Sequence, residues 1–563
     1  MELHEQSPRR QRGRATLALA ILCLGLVLML AACTLPGTPI DEPTATAPAT
    51  ATMLAAANTP TIAATRAASA TPPTASAPPQ ASVTPTRAAT PVANATPTRT
   101  AVTPTRGAAT PGRGTATPVS GRGTPTATRE PFTPTADQPC RDADLEQPPL
   151  PESAATLATI EQAYRCILLN YVDRNSGLDN KVLLNGAWDI FKQAGLPAAD
   201  VPTLALTGDR DADWQVYAAH YNTLLQKYGR AIDTSLLARV ALDGMARSLN
   251  DNHLSYLDPQ LWQRFQLELS GDNKDIGPGF DLATDDQSSA FYLYEVYPDT
   301  QAARAGLRAG DVIEQVNGRD AKVGTGNQGL YDLLTGAVGT QATLRVNRPA
   351  TKQTLNVSVS VAEYSLPVIS SRVLDGGVGY IKLRAFSITA DQDFDKALAA
   401  LQTQGITSLI FDVRQNSGGS TDALAHILSY FSHQGPHAIT IDADGKRTEE
   451  NPDPNVPLLG LPWVVLSNGT SASSADITAA FAKDRGGYLI GTKTAGALGS
   501  AQVFELADGS ALEITVQRVL GPDGEAINNV GVTPNQVVPI TPADISAGND
   551  PQLAAALAYL KTK

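Results

Sequence analysis

Apolar residues change their spacing several times along this chain, and each change marks a different kind of segment. A continuous apolar run from Ala15 to Leu30 gives way to a stretch, reaching Asp137, dominated by Ala, Thr and Pro. From about Cys140 to Ser270 the pattern is mostly helical, with apolar positions recurring every three or four residues. Residues 160–168 show this period, and 234–249 place Leu236, Leu237, Val240, Ala241 and Met245 on one side. Residues 175–215 give no readable period and predict no element. Further on, Phe291–Val296 reads as a strand, and Asn317-Gly318 ends Asp311-Val-Ile-Glu-Gln-Val316 in a turn. Beyond 364, short apolar strands at Val378–Leu383, 407–413 and 463–466 alternate with helical patterns at 391–404, 423–428 and from Ile477. A last strand at 488–494 precedes a hairpin with Asp508-Gly509 at its turn.

Composition separates the front of the chain from the rest. Arg9, Arg10, Arg12 and Arg14 precede the apolar run, which ends in small residues, the plan of an export signal. Leu30-Ala-Ala-Cys33 resembles the lipobox of bacterial lipoproteins, so residues 1–33 are expected to leave Cys33 as a lipidated first residue. An uncleaved anchor is the alternative, although the run is short for a span. Residues 34–139, with Thr-Pro-Thr-Arg at 84–87, 96–99 and 103–106, lack the apolar side chains to offset the entropy of ordering. They are expected to form a disordered tether reaching tens of ångströms, at about 5–6 Å × √n. A plain spacer is preferred over an O-glycosylated stalk. With Cys23 in the signal, Cys140 and Cys166 remain as a candidate disulfide or as free thiols. The formal net charge of −12 argues against nucleic-acid binding. No metal-ligand spacing and no phosphate-cradling loop appear, so no cofactor is expected.

Chemistry concentrates in two turns. Ser471, Ser473 and Ser474 lie between the 463–466 strand and the helix from Ile477, and Ser473…Asp476 has capping-box spacing. A serine at a helix N-terminus is near exposed N–H groups that favour developing negative charge. Alone, it would be read as a cap. The second turn is Arg414-Gln-Asn-Ser-Gly-Gly419, between a strand and a helix. Gly418-Gly419 lets backbone N–H groups approach a ligand, one way to build an oxyanion hole.

Together with IGPGFDL (276–282) and VYPDTQAARAGLRAGDVIEQVNG (296–318), these turns resemble the C-terminal processing (tail-specific) serine peptidases with a PDZ domain. The resemblance runs from about Leu157 to the end of the chain, with the motifs in family order. It implies an α/β core of stacked strand–strand–helix units with an inserted PDZ domain and an N-terminal helical region. It also assigns Ser473 as nucleophile, and the amides of Gly418 or Gly419 and of Ser474 as oxyanion donors. Asp484 and Gln502 match supporting residues, the latter one that orients the general base. Arg414 and Asn416 match structural positions of the glycine turn.

The departure is at the base. Where the family reads Gly-Lys-Gly, this loop is Thr494-Ala-Gly-Ala-Leu-Gly499, so Ala497 or Leu498 stands in place of the lysine. His253 is the favoured substitute, in a segment corresponding to the histidine base of the tricorn-type peptidases. Lys493 is the alternative, and a site with no base remains open. Glu525 or Asn528 would be the acceptor that orients a histidine, Glu525 being a weak candidate. In the PDZ loop, Gly277, Gly279 and Phe280 are candidate peptide-binding residues, but Pro278 has no N–H to donate to a terminal carboxylate.

The expected organisation is therefore a signal at 1–33, a stalk at 34–139, a helical part at 140–270, a PDZ domain at 271–363 and a catalytic core at 364–563. The expected function is an extracytoplasmic, membrane-tethered serine endopeptidase, lipid-anchored at the outer face of a bacterial membrane. Its substrates would be proteins or peptides, recognised in part through their C-termini. A catalytically inactive peptide-binding lipoprotein is the main alternative, and a stalked adhesion module a third.

Overall fold

The computed structural model describes residue 129 and residues 132–145, 147–285, 288–323 and 328–563. The export segment with Cys33, and the Thr/Pro/Ala-rich stretch through residue 128, lie outside the described residues. Among the described residues no helix is long and apolar enough to cross a membrane.

The first helical region contains Leu157–Asn170, Asn180–Gln193, Arg210–Tyr228 and Thr234–Arg247. Asp179, Asp209 and Asp233 cap three of these by accepting from first-turn N–H groups. Two of the helices fall partly or wholly where the sequence predicted nothing. Arg210–Tyr228 buries Trp214, Tyr217, Tyr221, Leu224 and Tyr228, a stripe made largely of tyrosine that hydropathy barely registers. The rings stack along the helix, Trp214 on Tyr217 at 5.4 Å and Tyr217 on Tyr221 at 6.0 Å. Asn180–Gln193 crosses Thr234–Arg247 at two glycines. A Cβ on Gly186 would stand 2.6 Å from Gly244 O, and one on Gly244 would stand 2.5 Å from Gly186 O. Cys140 and Cys166 are joined, with Cα atoms 5.7 Å apart, tying the chain before the first helix to that helix.

The PDZ-like region is a five-strand antiparallel path, Phe280–Thr284, Phe291–Val296, Val312–Val316, Gln341–Arg348 and Gln353–Ser360, with its own apolar core. Entry and exit strands Lys274–Gly277 and Ala362–Ser365 pair with each other, so the region is inserted as a closed unit. It rests on the core through Glu295, which takes Lys382 and Arg384.

The core sheet runs Ile369–Leu374, Val378–Leu383, Ser408–Asp412, Trp463–Ser467, Tyr488–Gly491, Gln536–Val537. Its first pair is antiparallel and the others are parallel. Helices Ala390–Thr403, Thr421–Ser429 and Ser474–Asp484 cover one face, and Pro551–Leu560 covers the other. Coverage on both faces explains the near-continuous apolar strands. One strand–strand–helix unit, 369–403, is visible; after it, single strands and single crossover helices build the sheet. A second sheet pairs Ala511–Leu520 with Ser500–Glu505, with Ala438–Ile441 and with Ser255–Leu257. That pairing brings the segment preceding Ser255 beside the loop preceding Ser500.

The glycine crossing is testable. Gly186→Ala would place its methyl 2.3 Å from Ser248 Cβ. Overpacking costs about 1–3 kcal/mol and should outweigh the gain in helix propensity, about 1 kcal/mol. A lower denaturation midpoint is expected, and an unchanged or higher one would refute the close crossing.

Candidate active site

Both chemical turns leave the C-terminal ends of neighbouring parallel strands, Ser408–Asp412 and Trp463–Ser467, where open α/β sheets bind ligands. Hydrogen bonds join them through Gln415 with Asn468 and Thr470, and through three contacts of the serine segment. Ala472 N–H donates to Asn416 O at 3.0 Å, Ser471 Oγ to Val413 O at 2.8 Å, and Ser474 Oγ to Gly419 O at 2.9 Å. Beneath them Arg414 and Asp412 form a buried pair, extended by Arg414 to Asp550 and Gln552 at the start of the last helix. Burial alone would raise the Asp412 carboxyl, yet Arg414 beside it holds it below the ordinary value.

Ser473 is the N-cap of Ser474–Asp484 and has φ 55° and ψ −114°, a strained conformation for a residue with a Cβ. Its N–H is held by Asp476 Oδ2 and by Ala497 O, each at 2.8 Å. The side chain is 3% exposed.

The glycine turn divides its amides. Gly418 N–H already donates to Asn416 Oδ1 at 2.8 Å, and Asn416 Nδ2 donates to Leu383 O. Gly419 N–H and Ser474 N–H have no hydrogen-bond partner among the described residues. Gly419 has φ 128°, and a Cβ there would lie 2.3 Å from Phe386 O, so the position admits only glycine. Gly419 and Ser474, rather than Gly418, thus present unused donors.

His253 is fully buried against the same loop that holds Ser473. A Cβ on Gly499 would meet its ring at 3.3 Å, so glycine leaves the imidazole its place. Its Nε2 has no partner among the described residues, and hence no hydrogen bond to Ser473. Its Nδ1 lies 2.8 Å from Asn252 Oδ1. A backbone group fixes the tautomer. Leu498 N–H can only donate, so the Asn528 atom 3.1 Å away is its oxygen. That oxygen also lies 2.9 Å from Asn252, whose facing atom is therefore Nδ2. Asn252 then turns its oxygen to His253, Nδ1 carries the hydrogen, and Nε2 keeps its lone pair. Burial lowers the His253 pKa to about 4, with Asp251 opposing, so the ring is neutral at neutral pH. Asp251 also secures the turn, accepting from His253 N–H, Thr515 Oγ1 and Tyr171 Oη.

The other named residues lie elsewhere. Lys493 is exposed and runs along Gly531, without a bond to Ser473. Glu525 is exposed and accepts from Asp523 N–H rather than facing His253; Asn252, absent from the sequence reading, takes that place. Its signal was available, since a carboxamide directly precedes the histidine. Asp484 is an exposed residue at the far end of the Ser474–Asp484 helix, about 16 Å from Ser473 at 1.5 Å per residue. Its carboxyl is raised, first by burial and then by Glu525 and Asp523. Gln502 is half-buried in the strand opposite Ile514. In the PDZ loop, Gly279 has φ 90°, and a Cβ would strike Thr300 at 2.2 Å. Pro278 O accepts from Ala302 N–H, and Gly279 O from Tyr297 N–H. Among the described residues no group of three His, Cys, Asp or Glu side chains is placed to hold a metal ion.

Comparison with known proteins gives concordant matches. The model of peptidase family S41 matches residues 377–538, and that of the PDZ domain matches residues 292–348. The carboxyl-terminal-processing protease of Picosynechococcus sp. (strain PCC 7002) is 30% identical over 341 residues, spanning 59% of this chain and 81% of its own. Carboxy-terminal processing protease CtpB of Bacillus subtilis (strain 168) is 28% identical over 347 residues, spanning 60% and 70%. Among solved structures, the photosystem II D1 C-terminal processing protease aligns over 69% of this chain and 94% of its own, with 23% identity and a TM-score of 0.45.

The buried pair under the glycine turn yields a stability prediction. Arg414→Met leaves Asp412 charged and without its partner, which costs about 3–5 kcal/mol. Urea denaturation should report a loss of that order. A change below about 1 kcal/mol would mean that the pair does not support the turn.

Proposed function

Because the chain belongs to peptidase family S41, the carboxy-terminal processing serine proteases, we propose that Ser473 and His253 form its catalytic pair. The observation that carries this reading is a neutral, fully buried imidazole with a free Nε2 lone pair, packed on the loop that holds the nucleophile candidate. Ser473 Oγ attacks the scissile carbonyl and passes its proton to His253 Nε2. The amides of Gly419 and Ser474 stabilise the tetrahedral oxyanion. The imidazolium keeps its Nδ1–H on Asn252 Oδ1, then gives the Nε2 proton to the leaving amine. Water completes hydrolysis by the reverse sequence.

Ser473 is 3% exposed and His253 fully buried, so peptide entry needs a movement that uncovers them. In this reading the PDZ region assists. Phe280–Thr284 is an edge strand of its sheet and suited to strand addition. Leu282 O on that strand accepts from Gln415 Nε2 of the glycine turn, a contact that supports this reading. Substrate C-termini are the proposed ligands, held with fewer carboxylate contacts because of Pro278. The basic amino-terminal segment, the apolar run and Leu30-Ala-Ala-Cys33 support an extracytoplasmic, lipid-anchored enzyme on a Thr/Pro-rich stalk.

Hydrolysis of an unfolded protein and labelling by a serine-directed phosphonate test the assignment. Wild type should cleave and label at Ser473, and Ser473→Ala should do neither. His253→Ala should lose about 10²–10⁴-fold in kcat, the usual range for a general base. Lys493→Ala should stay within about twofold. A wild type that neither cleaves nor labels would favour the peptide-binding alternative, and full activity in His253→Ala would remove the histidine from the mechanism.

The orienting amide has its own test. Asn252→Leu leaves Nδ1 without an acceptor and the tautomer unspecified. It should lower kcat by about 10²-fold or more with little change in KM. An equal rise in KM at constant kcat would instead place Asn252 in substrate binding.

A further inference from the structure

Asp476 appears in the sequence only as the third residue of a capping box, yet its carboxylate accepts from four donors across the site. It is fully buried one turn into the nucleophile helix. Oδ2 accepts from Ser473 N–H at 2.8 Å and Ala497 N–H at 3.2 Å. Oδ1 accepts from Gly496 N–H at 3.0 Å and from the Thr494 hydroxyl. A cap needs one such bond, to the N-cap amide. The other three go to a separate loop, the one that carries Ala497 and Leu498.

That loop is the common support of both reacting groups. Ala497 O holds Ser473 N–H, Gly499 lies against the His253 ring, and Leu498 N–H orients Asn528 and through it Asn252. Thr494 Oγ1 also accepts from Val532 N–H at 2.8 Å, and Gly496 O from Asn529 N–H at 2.6 Å. The carboxylate therefore fixes three segments, 473–476, 494–497 and 528–532, relative to one another. Two backbone bonds run alongside it, Ala495 N–H to Ser471 O and Ser473 N–H to Ala497 O.

We propose that Asp476 is a positioning residue that locks the 494–499 loop onto the nucleophile turn and so sets the separation of Ser473 and His253. The inference rests on the assignment of those two residues as the catalytic pair. Only the ionised carboxylate can accept from all four donors at once. Protonation would turn one oxygen toward a donor with a hydrogen of its own.

The lock consequently has a pH signature. Burial pushes the Asp476 carboxyl up to about 6, against the pull of Thr494, Gly496, Ser473 and Ala497. All four donors are neutral. The titratable groups on the elements packed around it are His253 behind Gly499, Lys493 directed outward along Gly531, and Lys483 and Asp484 at the far end of its own helix. The charged form of Asp476 predominates above about 6 and disappears as pH falls, whereas the neutral form of His253 persists down to about 4. A site limited by its base alone would keep its rate well below pH 6. A site that needs the lock would lose it near 6.

Phosphonate labelling of Ser473 in the full chain, followed from pH 4 to 8, decides between these. Wild type should lose labelling near pH 6. Asp476→Asn, verified as folded by circular dichroism and thermal melting, should label about 10²-fold more slowly, as expected for a misplaced pair. Its acid limb should move down toward that of His253. Asp476→Glu should recover part of the rate with an acid limb. Thr494→Val, which removes one donor from the ionised form, should move the limb upward, and decides the matter if Asp476→Asn does not fold. An Asp476→Asn enzyme with wild-type rate and limb, or a limb unmoved in Thr494→Val, would overturn the lock while leaving the catalytic pair intact. A wild type that does not label at Ser473 would overturn the catalytic pair itself.

Discussion

The parallel pairing of Ser408–Asp412 with Trp463–Ser467 is the constraint from which the site follows. Each strand ends in a turn that opens a helix, and the register aligns Asp412 with Leu466, so the turns emerge side by side. Strand spacing of about 4.8 Å then brings one turn's amide and the other turn's serine within reach of a single carbonyl group. Cross-turn hydrogen bonds and the buried Arg414–Asp412 pair keep this juxtaposition. The second sheet supplies the remaining element. Ser255–Leu257 adds to Ala511–Leu520 on the side away from Ser500–Glu505, and this pairing delivers His253 to Gly499.

Much of this was legible from residues whose signal is local. Gly418-Gly419 between a strand and a helix announces its backbone conformation because few other residues tolerate it, and Ser473 with Asp476 three residues on announces a helix start, though not its positive φ. The strands were readable because burial on both faces makes them uniformly apolar. Arg210–Tyr228 was not readable. Its buried stripe is built from tyrosines and a tryptophan that stack on one another, and a scale that prices Tyr as nearly polar cannot see it. The choice between Gly418 and Gly419 was also beyond the sequence. It depends on which amide Asn416 consumes, a matter of side-chain direction within a turn. Asn252 was missed for a related reason, since an amide beside a histidine becomes informative only when Asn528 and Leu498 N–H fix its orientation.

The histidine is oriented by neutral groups rather than by a carboxylate in hydrogen-bond contact. A neutral amide specifies the tautomer as well as a carboxylate does, but it stabilises the imidazolium less. Burial lowers the basicity of the ring further, and Asp251, which bonds the backbone N–H of His253 rather than the ring, only partly opposes this. The result is a base that is almost always unprotonated at neutral pH and a conjugate acid that readily gives up its proton. In a Brønsted sense this favours donation to the leaving amine over abstraction from serine. In the proposed mechanism the oxyanion donors would then carry a larger share of the acylation barrier, which fits a turn that leaves two amides unspent.

The same loop bears on the proposed replacement of a lysine base by a histidine. Ala497 and Leu498 are both nearly buried, and Leu498 packs into the apolar cluster beneath the nucleophile helix. An ammonium there would enter the same apolar packing, where desolvation disfavours the charged form. Gly499 supplies the complementary half, since any side chain would push on the imidazole. The loop thus fills one side with aliphatic groups and empties the other for a ring carried by a different strand. Its amides face Asp476 and Asn528, so the same backbone contacts the supports of both Ser473 and His253. In the proposed assignment the base comes from another segment, while the support that would place it stays in the loop.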